Sequence, residues 1–190
     1  FLRPGPAYGG SCFPKDIKAL NHIASKHKYS AKLLNAVDQV NEYQKDILFT
    51  KIKSYYGNKL KGMTIAIWGI AFKPETDDIR YAPSVNLIQK LIKAGVKVKS
   101  YDPIATLKNT YEFKPNAYKE CSNAFAAIKN ADALVICTEW KEFWSIDTLE
   151  VKKLLKDPVI FDGRNIYSPD IMKAQGISYI GIGTNNLDLL

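Results

Sequence analysis

Apolar positions along the chain fall into two textures. In the first, Ile17, Leu20, Ile23 and Ala24 recur at helical spacing and predict a short helix from Pro14 to near Lys28. Pro14 suits its first turn, where no backbone donor is needed. A longer stripe of Leu33, Leu34, Val37, Val40, Ile47, Leu48, Ile52 and Tyr55 predicts one helix over about residues 31–56, ended by Gly57-Asn58. Such a helix exceeds the ordinary globular length, so part of its apolar face is expected to meet another domain or subunit.

After Lys61-Gly62 the second texture begins, short apolar runs separated by amphipathic stretches, which is the pattern of a parallel α/β sheet. Strands are predicted over 63–68, 96–101, 133–137, 159–161 and 178–182. Between the first two, residues 83–94 read as a helix with Val85, Ile88, Leu91 and Ile92 inward and Gly95 closing it. Helices near 121–130, 147–156 and 168–174 complete the crossovers. The expected fold class is α/β: a helical segment with a long helix over 1–60, then a Rossmann-like parallel sheet over 61–190.

Composition narrows the function classes. With 46% apolar residues in 190, the chain can bury a full core, which excludes a disordered tail. No apolar run approaches the roughly 18–20 residues that cross a bilayer, so no membrane partner is expected. The chain starts at Phe1 without a signal-peptide pattern and directly in a Gly/Pro-rich stretch, which suggests a piece of a longer polypeptide. Lys and Arg number 27 against 19 acids, a net charge of +8 that favours anionic ligands such as phosphates or nucleotides. The basic residues are scattered, without the cluster or aromatic platform of a nucleic-acid binder, so nucleic acid is not an expected partner. Cys12, Cys121 and Cys137 are odd in number and match neither a disulfide framework nor a zinc site, which points to a reducing, cytoplasmic setting without a structural metal. Cys137 ends an apolar run and reads as a buried small hydrophobe.

Cys12 is different. In Gly5-Pro-Ala-Tyr-Gly-Gly-Ser-Cys12-Phe-Pro-Lys15-Asp16 a glycine-rich turn leads straight into a helix that starts beside the cysteine. Free amides and the positive end of a helix favour a thiolate, and Lys15 adds charge nearby. Asp16, one helical turn on, could orient or activate a water. The same residues also read as a tight turn with a structural cysteine and an acid that merely favours the helix dipole.

That segment resembles the catalytic-cysteine motif of the UDP-glucose/GDP-mannose dehydrogenase family, nucleotide-sugar dehydrogenases that oxidise a sugar 6-alcohol to the acid with two NAD. Further segments resemble the family in its own order: Val40-Asn41-Glu42-Tyr43-Gln44, Gly69-Ile-Ala-Phe72-Lys73-Pro-Glu-Thr-Asp-Asp78-Ile-Arg80, Tyr101-Asp102-Pro103, Thr138-Glu139-Trp140 and Phe161-Asp-Gly-Arg164-Asn165. Ala7 stands where the family motif has glycine, a place suited to positive φ or close backbone contact.

The resemblance implies roles residue by residue. Cys12 matches the nucleophile that captures an aldehyde as a thiohemiacetal and carries the thioester after a second oxidation. Asp16 matches the carboxylate that helps to position the hydrolytic water. Phe1, Leu2, Arg3, Pro4, Gly5 and Gly9 match the loop that wraps the nucleotide-sugar, Phe72, Lys73 and Arg164 match further substrate contacts, and Lys15 and Arg80 match residues near the NAD cofactor. Pro-Lys-Asp16 after the cysteine favours the UDP-glucose branch, with UDP-glucose and UDP-glucuronate as ligands and GDP-mannose or another nucleotide-sugar as the alternative. The family's Gly-x-Gly-x-x-Gly dinucleotide fingerprint and its catalytic Lys and Asn are not among these 190 residues, so the chain corresponds to a C-terminal part expected to be inactive alone. A homodimer through helix 31–56 is the implied assembly. A non-catalytic module for nucleotide-sugar binding and dimerisation is the competing reading of another class.

Overall fold

The computed structural model describes residues 4–184. Six strands, β1 (Thr64–Trp68), β2 (Lys97–Tyr101), β3 (Tyr118–Glu120), β4 (Ala133–Ile136), β5 (Val159–Asp162) and β6 (Ser178–Gly181), form one sheet in the order β3-β2-β1-β4-β5-β6. Every pairing is parallel. β4 and β5 are buried along their whole length, as central strands covered on both faces must be.

Strand periodicity divides the core in two. Ile65 and Ile67 of β1 join Val135, Phe161, Ile88 and Leu91 on one face, while Ala66 and Trp68 join Leu134, Ile136, Ile160, Phe143 and Val151 on the other. Trp68 stacks on Phe143 and donates its indole N–H to Ala124 O, so its polar edge is satisfied inside the core. The expected α/β class and five of the strands therefore stand. β3 carried no apolar run: Tyr118-Lys-Glu is a short, half-exposed edge, held by parallel register with β2 and by a 2.7 Å bond between the Ser100 and Tyr118 hydroxyls.

The helical region corrects the sequence reading. α1 covers Phe13–Lys26, but the helix expected over 31–56 is two, α2 (Lys32–Gln44) and α3 (Ile47–Tyr56). At the break Asp46 N bonds to Tyr43 O, a tightened turn, and polar groups of α4 (Pro83–Lys93) reach in from the sheet domain. Asn86 Nδ2 donates to Asp46 Oδ1 at 2.9 Å and to Lys45 O at 3.2 Å, and Lys90 Nζ lies 2.5 Å from the same carboxylate. Burial pushes the Asp46 carboxyl up, but Lys90, Asn86 and Lys45 together hold it below its ordinary value.

Past the break, α3 turns its stripe inward. Leu48, Ile52 and Tyr56 share the core with Ile65 and Phe161, so this part of the predicted stripe packs on the sheet and does not face a subunit. On α1 only Pro14 and Ile17 are buried, whereas Leu20 and Ile23 are 51% and 53% exposed. Leu33, Val40 and Tyr43 of α2 are 77%, 65% and 84% exposed. Among the described residues no helix is long and apolar enough to cross a membrane.

Candidate functional site

The strand order reverses between β1 and β4, and in open parallel sheets ligands bind beyond the carboxyl ends of strands at such a point. The chain leaves β1 through Gly69, whose φ of +86° and close approach to Thr138 leave no room for a side chain: a Cβ would lie 2.4 Å from Thr138 Cβ and 2.6 Å from Thr138 N. The next residues have their backbone groups engaged by specific partners. Ile70 N and Ala71 N both donate to Asp102 Oδ2, Ile70 O accepts from Ser84 Oγ, Ala71 O accepts from Thr138 Oγ1, and Phe72 N donates to Asp78 O.

Asp102 sits at the end of β2, where a dinucleotide-binding sheet would hold a ribose. Here its oxygens accept from Ile70 N, Ala71 N, Ile104 N, Ala105 N and Trp140 Nε1. The amides that would cradle a pyrophosphate after β1 are thus committed to a carboxylate, and this end of β1 does not fit an NAD cradle. The braced turn presents Phe72 and then the exposed Lys73, whose ammonium lies 5.6 Å from the Phe72 ring centroid.

Arg164 enters from the turn after β5. Its Nε donates to Cys137 O at 2.9 Å and its Nη2 to Phe72 O at 3.1 Å. Glu139 Oε2 stands 2.9 Å from Nε as an ion-pair partner without a hydrogen bond of its own. Buried Asp162 shapes the turn, with Oδ1 accepting from Arg164 N and Oδ2 from Ile166 N and Tyr179 OH. Burial raises the Asp162 carboxyl above its ordinary value in spite of those donors. Pro4, Glu139, Trp144, Arg164, Asn165 and Ile166 line a pocket of about 360 Å³, which is small-molecule size.

The glycine-rich segment lies across these loops. A Cβ on Gly5 would stand 2.7 Å from Arg164 Nη1, and one on Gly9 would stand 2.6 Å from Tyr81 O. Gly10, at φ +83°, presses its backbone on the Phe72 ring and donates its N–H to Arg80 O at 2.8 Å. Ala7 has φ +108°, a region that favours glycine, and carries the strain of a Cβ there.

Cys12 follows as the N-cap of α1, exposed, with Ser11 Oγ 3.7 Å from its sulfur. Asp16 N bonds to Cys12 O, and the exposed Lys15 and Asp16 side chains lie 3.8 Å apart. Across the gap, Arg80 forms a two-pronged pair with Asp78, both N–O distances being 2.9 Å. Asp78 raises the guanidinium's affinity for its proton most, and Cys12 and Asp77 add to the pull. The other thiols differ: burial pushes Cys137 up to about 12 and raises Cys121 above its ordinary value.

The structure therefore gathers Pro4, Gly5, Gly9, Phe72 and Arg164 around one junction, with Cys12 and Arg80 at its α1 side. Lys15, Asp16 and Lys73 are exposed. Phe1, Leu2 and Arg3 lie outside the described residues. Reading residues singly missed the braces Asp102, Thr138 and Asp162; the signal they offered was a polar residue just at or after the carboxyl end of an apolar strand.

The UDP binding domain of the UDP-glucose/GDP-mannose dehydrogenase family matches residues 66–169, and the family's central domain matches residues 1–43. A UDP-glucose 6-dehydrogenase of Pseudomonas aeruginosa is 40% identical over 189 residues, covering 96% of this chain and 41% of its own length. The UDP-glucose 6-dehydrogenase TuaD of Bacillus subtilis is 42% identical, covering 96% and 39%. The chain thus spans about two fifths of these relatives. Among solved structures, an NDP-N-acetyl-D-galactosaminuronic acid dehydrogenase from Methanosarcina mazei superposes with a TM-score of 0.82 at 27% identity, covering 96% of this chain and 39% of that one.

Proposed function

Since the chain belongs to the UDP-glucose/GDP-mannose dehydrogenase family, we propose that it supplies the UDP-sugar site and the nucleophilic cysteine of an NAD-dependent UDP-glucose 6-dehydrogenase. The observation that carries this reading is the junction itself: the braced loop after β1 and the turn after β5 set Phe72 and Arg164 against Gly5–Gly10, two residues before Cys12. Lys73 and the Nη1 edge of Arg164 bind the diphosphate, and the net charge of +8 draws it in.

NAD, when bound, accepts a hydride in each of the two oxidations. The end of β1 does not fit as its cradle, so this chain contributes only Lys15 and Arg80, exposed cations near Cys12 suited to an anionic cofactor. Cys12 adds through sulfur to C6 of the sugar aldehyde, which keeps that intermediate from escaping and leaves a thioester after the second oxidation. Asp16 orients the water that hydrolyses the thioester, releasing UDP-glucuronate and the free thiol. Alone, the 190 residues are inactive, because neither the dinucleotide fingerprint nor the family's catalytic Lys and Asn is among them. The exposed face of α1 and α2 supports assembly into a homodimer, and the unpaired thiols suit a cytoplasmic setting.

Calorimetric titration with UDP-glucose, UDP, GDP-mannose and NAD tests the assignment. Saturable binding of both uridine ligands, without GDP-mannose or NAD, is expected. Preference for GDP-mannose would move the chain to that branch, and an absence of nucleotide-sugar binding would overturn the proposal.

A further inference from the structure

The segment Val40-Asn41-Glu42-Tyr43-Gln44 has no part in the chemistry assigned above, yet Asn41 is the buried residue of α2, 5% exposed on a helix whose other face is open. Its side-chain amide engages both backbone groups of one residue. Tyr8 N donates to Asn41 Oδ1 at 2.8 Å, and Asn41 Nδ2 donates to Tyr8 O at 3.3 Å. One helical step along the same face, Gln44 Nε2 donates to Gly5 O at 2.8 Å. Two side chains three residues apart thus hold the Gly5–Tyr8 stretch at both ends.

This grip matters because the stretch has no sheet or helix of its own. Ala7 between the two anchors is at φ +108°, a conformation that persists only where surroundings over-determine it. On the far side the loop between β1 and α4 supplies the opposing contacts, Arg80 O accepting from Gly10 N and the Phe72 ring lying against Gly10. Without Asn41 the Tyr8 N–H and C=O would lose their partners in a half-buried place, and the strained turn would relax.

We propose that Asn41 and Gln44 are positioning residues for Cys12: their amides lock residues 5–10 so that the thiol two residues on stands against a nucleotide-sugar held at Arg164 and Lys73. The inference rests on the proposed function, since it gives the clamp a purpose only if Cys12 faces that ligand. The specificity of an amide follows from its chemistry. A carboxylate at 41 keeps the acceptor for Tyr8 N but turns a donor toward Tyr8 O into a repulsion, and an alanine offers neither.

The test compares the unaltered chain with Asn41→Ala, Asn41→Asp and Gln44→Ala by three readouts: amide hydrogen exchange of residues 5–10, calorimetric affinity for UDP-glucose, and the melting temperature. Asn41→Ala is expected to speed exchange in 5–10 by about tenfold and to weaken UDP-glucose by about tenfold, while exchange in β1 and β4 stays unchanged. Asn41→Asp should fall between, and Gln44→Ala should loosen Gly5 more than Gly10. Unchanged exchange in 5–10 would overturn the clamp. Faster exchange with unaltered affinity would overturn positioning and leave a purely structural pair. If the unaltered chain does not bind UDP-glucose while Asn41→Ala still loosens the loop, the functional assignment has failed and the inference falls with it, although the clamp itself stands.

Discussion

The sheet unit and the α1–α2 pair both carry apolar stripes, yet they bury them to opposite degrees. Val85, Ile88 and Leu91 of α4 are at most 5% exposed, whereas Leu33, Val40 and Tyr43 of α2 are at least 65% exposed. Periodicity reports that a helix has an apolar face; it does not report what covers that face. In the sheet unit the cover is the neighbouring strands of the same chain, so the stripe converts into stability. In α1–α2 polar contacts do the holding, with Asn41 and Gln44 on the Gly5–Tyr8 stretch and, just past α2, Asp46 on α4.

Substitutions that probe the two regions should separate widely. The largest effect is expected at Gly69→Ala, where positive φ and the Thr138 contact act together; a loss of about 3 kcal/mol or more should appear in denaturant unfolding. Ile67→Ala in fully buried β1 should cost about 2–5 kcal/mol in the same assay. At the junction, Arg164→Gln should weaken UDP-glucose by about 2 kcal/mol in calorimetry, because a charged donor is replaced by a neutral one. Ala7→Gly should run the other way, raising stability by about 1 kcal/mol through relief of the φ +108° strain.

A gentler probe uses pH. Arg80's hydrogen bond holds the Asp78 carboxyl below its ordinary 3.8, so the folded value lies under the unfolded one. The contribution of that pair is therefore present above pH 3.8 and is lost as pH falls through the folded value. Carbon-13 NMR of the Asp78 carboxyl should titrate below 3.8, and Arg80→Gln should bring it back toward that figure. The smallest effect is expected at Leu33→Ala, within about 0.5 kcal/mol for this chain as a monomer. A loss of about 2 kcal/mol there would mean that the open face is covered in solution, as the proposed homodimer requires.

What could be read from the residues follows the same division. Strand and helix positions in the sheet unit were legible because buried parallel strands such as 133–136 are continuous apolar runs. β3 was not, since an edge strand of Tyr-Lys-Glu is defined by its neighbour and has no apolar pattern. The division of helix 31–56 was hidden because Lys45 and Asp46 are compatible with a helix; the break depends on Asn86 and Lys90, some forty residues away. At the site, Cys12, Phe72 and Arg164 could be named from motifs, but Asp102 and Asn41 act through backbone groups more than thirty residues away, and no local spacing encodes that.

The claim that Cys12 faces a UDP-sugar is open to one direct measurement: the rate of iodoacetamide labelling of Cys12, read by peptide mass spectrometry, with and without saturating UDP-glucose. Buried Cys137 serves as the internal control. UDP-glucose is expected to protect Cys12, while GDP-mannose at the same concentration is not. Labelling of Cys12 at the same rate in saturating UDP-glucose would contradict it.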